Sequence, residues 1–331
     1  MNATIVLHKR PVGTPVLTDF RTVTEKKPEP GVGEILLKTS YVSVDPYLRG
    51  RMNDTKSYIA PFELLQPIKS GIIAKVIESD HPDYKQGETV YGLLDWKEYQ
   101  TSTGKGITRV DVEKFPPSAY LGILGMPGLT AYLGLSEIGK LTKGETLVVS
   151  GAAGAVGTVA GQIGKLMGCR VVGICGSDEK VHMLKTDFGF NEAINYKTTR
   201  NMRRAIAATC PKGVDVYFDN VGGPISEAVL AKINKFARII ICGAISLYNE
   251  TSLPTGLSVQ PFLLRSSALM QGFIVSDYEA KFPEAMHQLT EWFSTGKIKQ
   301  AETIVRGFDQ IPQAFIDLFT GKNKGKMVVQ I

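Results

Sequence analysis

The segment Thr146-Leu-Val-Val-Ser150 runs directly into Gly151-Ala-Ala-Gly154-Ala-Val-Gly157, and this junction decides the fold. The first part is typical of a buried strand, and residues 158–168 are predicted to form a helix. Glycine lets the backbone turn tightly and approach a ligand where a Cβ would clash. A helix N-terminus beyond such a turn offers free N–H groups to a pyrophosphate. The G-x-x-G-x-x-G spacing in this context predicts dinucleotide binding, although small residues also serve simply to pack a helix closely on a sheet.

Strand and helix patterns continue to alternate after the glycine turn. Apolar runs over 170–175, 214–219, 237–242 and 269–275 predict buried strands, and residues 178–188 and 225–234 are predicted to be helical. Such alternation predicts a parallel sheet covered on both faces. Ligands bind at the carboxyl ends of the strands in such a sheet. The candidate site loops therefore begin at Gly151, Gly176, Asp219, Gly243 and Ser276.

The second strand of this pattern bears on the choice of nicotinamide cofactor. NAD enzymes place an Asp or Glu at its end to bind the ribose hydroxyls, whereas here Cys175 is followed by Gly176-Ser177. Asp178 and Glu179 fit the first turn of a helix with a Ser177 N-cap. Lys180 is placed to reach a 2′-phosphate, or is an ordinary solvated lysine. The missing strand-end acid predicts NADP(H).

Length and composition predict a two-domain globular protein. A chain of 331 residues exceeds one typical core. No run approaches the ~18 apolar residues of a membrane helix, and the N-terminus lacks the order of a signal peptide. The four cysteines form no disulfide framework, which predicts a reducing, cytoplasmic location. The net charge is +6, but no basic cluster is interleaved with aromatic residues, so no nucleic-acid partner is expected.

The segments before and after the alternating region are predicted to be richer in short strands and turns. Short strands are predicted over 34–43, 71–79 and 89–93, bounded by Pro and Gly. Strands over 303–306 and 326–331 enclose a predicted helix over 311–320. We therefore expect three segments: a β-rich substrate domain (1–122), a nucleotide-binding domain (123–300), and a tail (301–331) that returns to complete the first domain.

Several motifs carry a resemblance to a known family, the medium-chain dehydrogenase/reductases. They are Tyr41-Val-Ser-Val-Asp-Pro-Tyr-Leu-Arg-Gly-Arg-Met52, Gly125-Met-Pro-Gly-Leu-Thr-Ala-Tyr132, Gly176-Ser-Asp-Glu-Lys180, Asn195-Tyr-Lys197 and Phe218-Asp-Asn-Val-Gly-Gly223. They resemble the prostaglandin reductase and alkenal double-bond reductase branch, and Arg49-Gly-Arg-Met52 is similar to its bacterial curcumin reductase-like members. The resemblance implies an α/β fold, with a Rossmann doubly wound parallel sheet inserted in a β-rich, GroES-like catalytic domain. It also implies a homodimer.

The zinc ligands of related alcohol dehydrogenases are missing. Those enzymes place a Cys where this chain has Ser43-Val-Asp-Pro46, and a His-Glu pair where it has Gly71-Ile-Ile-Ala74. Many also carry a four-cysteine lobe around the region 95–111, which contains no cysteine here. Zinc requires Cys, His or carboxylate ligands, and the four histidines show no paired spacing. We therefore expect no metal site.

The resemblance implies reduction of the carbon–carbon double bond of α,β-unsaturated ketones or aldehydes by hydride transfer from NADPH. It points to Tyr248, in Ala244-Ile-Ser-Leu-Tyr-Asn249, as a hydroxyl donor to the developing enolate oxygen. The alternative for Tyr248 is an aromatic ring that packs a loop. Tyr47 is a second catalytic candidate, and Asp45-Pro46-Tyr47 is equally consistent with a structural turn. Two other functions remain open, an NADPH-dependent quinone reductase and an NADPH-binding sensor without turnover.

The resemblance also assigns cofactor contacts residue by residue. They are Met126 and Thr130 near the nicotinamide and phosphates; Gly151, Gly154, Ala155, Val156 and Gly157 on the glycine turn; Ser177, Lys180 and Tyr196 at the 2′-phosphate; Asn220, Cys242, Ala244 and Tyr248 after later strands; Phe273, Ile274 and Val275 at the nicotinamide amide; and Asn323 from the tail. Cys242 is equally consistent with a core position. The family often has Leu-Gly after the tail Asn, where this chain has Lys324-Gly325.

Overall fold

The structure is a computed structural model that describes residues 1–252 and 254–331. Its strands are β1 Asn2–Leu7, β2 Phe20–Glu25, β3 Ile35–Ser43, β4 Lys69–Ser79, β5 Thr89–Asp95, β6 Tyr99–Ser102, β7 Ile107–Arg109, β8 Thr146–Ser150, β9 Arg170–Cys175, β10 Glu192–Asn195, β11 Val214–Asp219, β12 Ile233–Ile241, β13 Leu269–Gly272, β14 Glu302–Arg306 and β15 Lys326–Gln330. Its α-helices are α1 Leu48–Arg51, α2 Met126–Leu133, α3 Ala155–Leu166, α4 Asp178–Thr186, α5 Met202–Thr209, α6 Gly223–Leu230, α7 Gln260–Ser266, α8 Phe282–Ser294 and α9 Ile311–Thr320.

The described chain divides into two compact units. Unit 1 contains Met1–Leu121, Thr303–Asn323 and Met327–Ile331, and unit 2 contains Gly122–Glu302 and Lys324–Lys326. The expected segments 1–122, 123–300 and 301–331 have similar bounds. Their assignment to substrate and cofactor stays a prediction.

Unit 1 is built on an antiparallel sheet in the order β14-β15-β3-β4-β5-β7, with β6 paired to β3. The returning β15 aligns Val328 with Ser43 of β3. The buried ring of Phe315 on α9 meets Phe20 edge-on, with centroids 6.2 Å apart. Both the strand and the helix of the tail therefore belong to this unit's sheet and core.

Unit 2 is built on six parallel strands in the order β10-β9-β8-β11-β12-β13. Counted from β8, this is the doubly wound order 3-2-1-4-5-6, whose strand order reverses between β8 and β11. All five residues of β8 are buried, as expected for a parallel strand covered on both faces. The predicted Rossmann fold class is confirmed, and its ligand crevice is expected where the loops leave β8 and β11.

The helix predicted over 225–234 is wrong at its C-terminal end. α6 ends at Leu230, and β12 begins at Ile233. The backbone N–H of Val214 donates to Lys232 at 3.1 Å, and Asn234 Nδ2 donates to Asp215 at 2.7 Å. These long-range bonds pull the segment into the sheet beside β11, which a local apolar pattern does not reveal.

Candidate functional site

The glycine turn joins β8 to α3 through two close backbone approaches. Gly151 adopts a φ of 58°, and its carbonyl accepts a 3.0 Å hydrogen bond from Gly154 N. A Cβ on Gly157 would lie 2.3 Å from that same carbonyl oxygen, so only glycine lets the helix start this close to the turn. Because the first N–H groups of a helix have no acceptor within it, the start of α3 at Ala155 and Val156 is suited to bind an anion.

Asn220 lies beside this turn at the point where the strand order reverses. Its backbone N–H donates to Ser150 Oγ at 2.9 Å, and its Nδ2 donates to the Ser150 carbonyl at 2.7 Å. The position of a Cβ on Gly151 would be 3.3 Å from the Asn220 Cβ. The structure therefore brings the predicted residues of these two loops together.

Asp219 ties the ends of three strands to one another through its buried carboxylate and its backbone carbonyl. One oxygen of Asp219, Oδ1, accepts four hydrogen bonds of 2.8–3.0 Å, from Ser150 Oγ, Tyr217 Oη, Val221 N and Gly222 N. The Asp219 carbonyl also accepts from Cys242 N at 2.9 Å, just beyond β12. Burial and the Asp219 carboxylate raise the pKa of the Cys242 thiol to about 12. Sequence reasoning used Asp219 only as a loop boundary.

Tyr248 lies on the loop that follows β12, after a 3₁₀ turn over Ile245–Leu247. Its half-buried hydroxyl oxygen accepts a 3.4 Å hydrogen bond from Ala244 N. The loop is fastened to its neighbour, because Ile245 N donates to the Asn220 carbonyl at 3.2 Å and Ser246 N donates to Val221 at 3.1 Å. Tyr248 is therefore bonded to Ala244 within its own loop, and the loop is bonded to Asn220 through Ile245.

The candidate 2′-phosphate residues gather at the start of α4. Ser177 caps this helix as predicted, and its Oγ accepts from Lys180 N at 3.2 Å. Lys180 is only 9% exposed, so it is not an ordinary solvated lysine. Burial lowers the pKa of Lys180, and the ammonium groups of Lys197 and Lys324 act in the same direction. The exposed Tyr196 ring lies 3.2 Å from the position of a Cβ on Gly176.

Lys324 joins this region from the distant end of the chain. Its ammonium pairs with the Glu179 carboxylate in the first turn of α4. The next residue, Gly325, donates its N–H to the Ala153 carbonyl at 2.7 Å and bridges to Gly154. Sequence reasoning noted Lys324 only as a departure from the family pattern, because nothing local signals its partner.

The candidates for the nicotinamide side form a second group in unit 2. Met126 and Thr130 lie half-buried on α2, where Thr130 Oγ1 donates to the Met126 carbonyl at 2.7 Å. Phe273 follows β13 and packs edge-on against Tyr278, with centroids 6.2 Å apart. Ile274 and Val275 continue this half-buried segment.

Two candidates, Tyr47 and Asn323, belong to unit 1. Tyr47 precedes α1 and is half-buried. Burial raises the pKa of Tyr47, and the nearby Asp45 carboxylate raises it further, so the phenol stays protonated at neutral pH. Burial and Asp45 raise the pKa of Tyr91 in the same way. Asn323 is half-buried in the tail beyond α9.

Residues 1–252 and 254–331 contain neither a membrane-spanning helix nor a metal-binding cluster. Within these ranges no helix is long and apolar enough to cross a membrane. The same ranges hold no group of three or more His, Cys, Asp or Glu residues arranged to bind a metal ion.

Comparison with known proteins connects this geometry to a family. Residues 3–110 match the family described as the N-terminal domain of oxidoreductase, and residues 155–292 match the one described as zinc-binding dehydrogenase. The chain is 54% identical over 329 residues to the putative NADP-dependent oxidoreductase YfmJ of Bacillus subtilis (strain 168), covering 99% of this chain and 97% of that protein. It is 42% identical over 331 residues to the NADPH-dependent curcumin reductase of Escherichia coli (strain K12), covering 98% and 96%.

A solved structure supports the same assignment. The crystal structure of CurA from Vibrio vulnificus in complex with NADPH matches with a TM-score of 0.94 and 43% identity, covering 99% of this chain and 98% of that one. The motifs Tyr41–Met52 and Gly125–Tyr132 predicted the resemblance to this group of reductases. The chain belongs to the medium-chain dehydrogenase/reductases, in the branch of the curcumin, prostaglandin and alkenal double-bond reductases.

Proposed function

We propose that this protein is an NADPH-dependent reductase of the carbon–carbon double bond of α,β-unsaturated ketones and aldehydes, working without zinc. The observation that carries the proposal is the hydrogen-bonded link between the glycine turn and the Tyr248 loop through Asn220. It joins the glycine turn after β8 to the phenolic hydroxyl on the loop after β12, and these two strands flank β11 in the sheet. The relatives named curcumin reductase and 2-alkenal reductase support the substrate class.

The residues at the turn fit a dinucleotide. A pyrophosphate needs backbone N–H groups that it can approach closely, and the absence of side chains at Gly151, Gly154 and Gly157 lets an anion come near the backbone of the turn. A Cβ at Gly157 would fall 2.7 Å from the Ala152 Cα, so the cradle depends on that glycine. Ala155 and Val156 would present the first N–H groups of α3.

The residues at the start of α4 fit a 2′-phosphate. The ammonium groups of Lys197 and Lys324 lie close enough to Lys180 to lower its pKa, so a bound anion would offset their mutual repulsion. A phosphate monoester carries ≈ −1.5 to −2 charge at pH 7, and Ser177 and Tyr196 add hydroxyl groups. β9 ends at Cys175, without the carboxylate that binds the ribose hydroxyls at this position in NAD enzymes.

In the proposed reaction the protein orients the substrate and stabilises charge. When bound, NADPH supplies the hydride. Reduction at the β-carbon of an enone places negative charge on its carbonyl oxygen, and a donor aimed at that oxygen lowers the barrier. Tyr248 would hold its O–H toward this oxygen. A hydroxyl oxygen that accepts a hydrogen bond, as Tyr248 Oη does from Ala244, can still donate its own proton.

A metal is not needed for this role, and the residues at the usual zinc positions do not fit one. Ser43 donates its hydroxyl to Asp45, and the stretch Gly71–Ala74 on β4 offers no ligand side chain. The zinc in the name of the C-terminal family is therefore a property of other members.

Steady-state and binding measurements on Tyr248→Phe test the proposal. The change removes only the hydroxyl, so NADPH affinity should stay the same while kcat for an enone falls by roughly ten- to a thousandfold. Tyr120→Phe is the matched control, since it removes a hydroxyl bonded to the Asp111 carbonyl in unit 1. Unchanged kcat would pass the role to Tyr47, which Tyr47→Phe checks directly. Loss of NADPH binding would make Tyr248 a packing or cofactor residue.

The choice of substrates separates the rival functions. Turnover of enones and enals with NADPH, faster than that of quinones, is the expected result. A preference for quinones would favour a quinone reductase. Tight NADPH binding with no turnover on any of these acceptors would favour a sensor protein, and both outcomes contradict the proposal.

We also propose a homodimer through the edge of the unit 2 sheet. β13 is the last strand in the sheet order, and an edge strand presents unpaired backbone groups to another chain. Leu269 on this strand is 47% exposed, and Leu264 on the preceding α7 is 84% exposed. A second copy using the same edge would form a closed two-fold interface. Light scattering should give twice the chain mass, and Leu269→Lys should shift it to the monomer; monomeric wild-type protein would refute this.

We propose a cytoplasmic location, supported by the cysteines. All four are free thiols, and three of them are buried. Such thiols persist in a reducing compartment. Fractionation of the producing cells should recover the protein with cytoplasmic markers; recovery outside the cell would contradict the assignment.

A further inference from the structure

Lys324 and its neighbour Gly325 contact both phosphate-binding regions of the proposed cofactor site. Its backbone neighbour Gly325 is bonded to the glycine turn at Ala153. Its ammonium reaches the first turn of α4, where it pairs with Glu179. Lys180, on the same turn as Glu179, is the residue assigned to the 2′-phosphate. The ammonium of Lys324 is therefore held near the candidate 2′-phosphate position, where it would attract the phosphate.

We propose that Lys324 is a specificity-determining residue for the 2′-phosphorylated cofactor, and that Glu179 holds its ammonium in place until the phosphate takes over as its partner. The inference rests on the proposed function and goes beyond it, since the motif assigns this phosphate to Ser177, Lys180 and Tyr196 alone. It gives a purpose to a lysine that stands where the family often has leucine.

The exchange of partners is favourable because a phosphate monoester attracts the Lys324 ammonium more strongly than the Glu179 carboxylate does. Glu179 is exposed over 69% of its side chain and Lys324 over 43%, and ion pairs of this exposure contribute little. A phosphate monoester carries nearly twice the charge of a carboxylate and offers three acceptor oxygens. It therefore competes with Glu179 for Lys324 when it binds among Ser177 and Lys180.

Dissociation constants of the full chain for NADPH, NADH, 2′,5′-ADP and 5′-ADP test this without turnover. Lys324→Met keeps the length and removes the charge. It should weaken NADPH and 2′,5′-ADP by roughly tenfold, the size of one charge-assisted contact, and leave NADH and 5′-ADP within about twofold. Lys324→Arg should restore most of the loss.

The chain provides a matched control two residues away. Lys322 pairs with Asp317 at 2.8 Å within unit 1, so Lys322→Met removes a tail lysine and its ion pair without touching α4. It should leave all four affinities unchanged. If Lys322→Met weakens NADPH as much as Lys324→Met does, the effect is one of general charge, and the proposal is overturned.

Glu179→Gln tests the exchange itself. Removing the competing carboxylate should tighten NADPH by a few-fold, and the gain should vanish when Lys324→Met is added. If Glu179→Gln weakens NADPH instead, Glu179 remains the partner of Lys324 when the cofactor is bound, and the exchange is refuted. Equal weakening of NADPH and NADH by Lys324→Met would refute the specificity role.

Failure of this inference is distinguishable from failure of the proposed function. If the wild-type chain binds neither dinucleotide, or shows no preference for NADPH over NADH, the proposed cofactor assignment fails. If the wild-type preference exists and survives Lys324→Met intact, the proposed function stands and the role of Lys324 is refuted.

Discussion

Replacing Gly157 by alanine tests the dinucleotide cradle at the point where its geometry is tightest. The new Cβ would lie 2.3 Å from the Gly151 carbonyl oxygen and 2.7 Å from the Ala152 Cα. Ordinary contacts of a Cβ begin near 3.4 Å, so the turn or the helix start must move by about 1 Å. Both neighbours are backbone atoms, and no side-chain rotation can relieve the overlap.

The displacement should appear in cofactor binding. Each charge-assisted hydrogen bond from the turn to the pyrophosphate contributes about 1.5–3 kcal/mol, and a 1 Å shift removes at least one. We therefore expect the NADPH dissociation constant to rise by roughly ten- to a hundredfold. Isothermal titration calorimetry at a temperature where the variant is fully folded measures it.

Gly161 on the same helix is the matched control. A Cβ there would lie 1.8 Å from the Phe190 ring, so Gly161→Ala overpacks the core and should cost about 3 kcal/mol of unfolding free energy. It lies more than a helical turn beyond Gly157, so NADPH affinity of the folded protein should change less than about threefold. The cradle is refuted if Gly157→Ala binds NADPH normally, or if both variants weaken binding equally.

Three further predictions concern Asp219, Cys242 and zinc. Asp219→Asn keeps the shape of the side chain but removes the charge of the carboxylate that accepts four hydrogen bonds. Urea unfolding should therefore show a decrease of about 3 kcal/mol in the free energy of unfolding. A decrease below about 0.5 kcal/mol would contradict a structural role for this carboxylate. A pKa of about 12 leaves Cys242 almost wholly protonated at pH 8. Iodoacetamide should therefore label it far more slowly than a free cysteine of pKa near 8.5, and the labelling should speed up as the pH rises toward 12. Rapid labelling at pH 8, followed by mass spectrometry, would argue against the raised pKa. Purified protein should contain no stoichiometric zinc and keep its activity in EDTA, and elemental analysis showing one zinc per chain with activity lost on its removal would refute that prediction.

The sequence predicted the unit 2 sheet well because buried parallel strands are continuous apolar runs. The residues 146–150 and 214–219 were placed at the bounds that the structure gives. The short edge strand β10 was missed because its burial is partial. The start of β12 was misjudged because pairing with β11, not local pattern, ends α6.

Parts of the site lay beyond prediction because they join distant residues. Ser150 and Asp219 are 69 residues apart, and Glu179 and Lys324 are 145 residues apart. Family motifs pointed to Ser177, Lys180 and Asn220, whose positions a local pattern fixes. The ion pair of Lys324 is absent from the motif, so only the folded chain reveals it.

The hydrogen bonds at the strand ends explain how one site would control both binding and chemistry. Asn220 holds the Ser150 carbonyl with its side chain and the Ile245 amide with its own carbonyl. The glycine turn and the Tyr248 loop therefore cannot shift independently, and Asp219 fixes the strand ends beneath them. A misplacement of about 1 Å is enough to lower a rate a hundredfold. The hydrogen bonds of Asn220 and Asp219 would therefore keep the hydride donor and the Tyr248 hydroxyl correctly placed relative to each other. It also implies that Asp219→Asn should lower kcat and NADPH affinity together, whereas Tyr248→Phe should lower kcat alone.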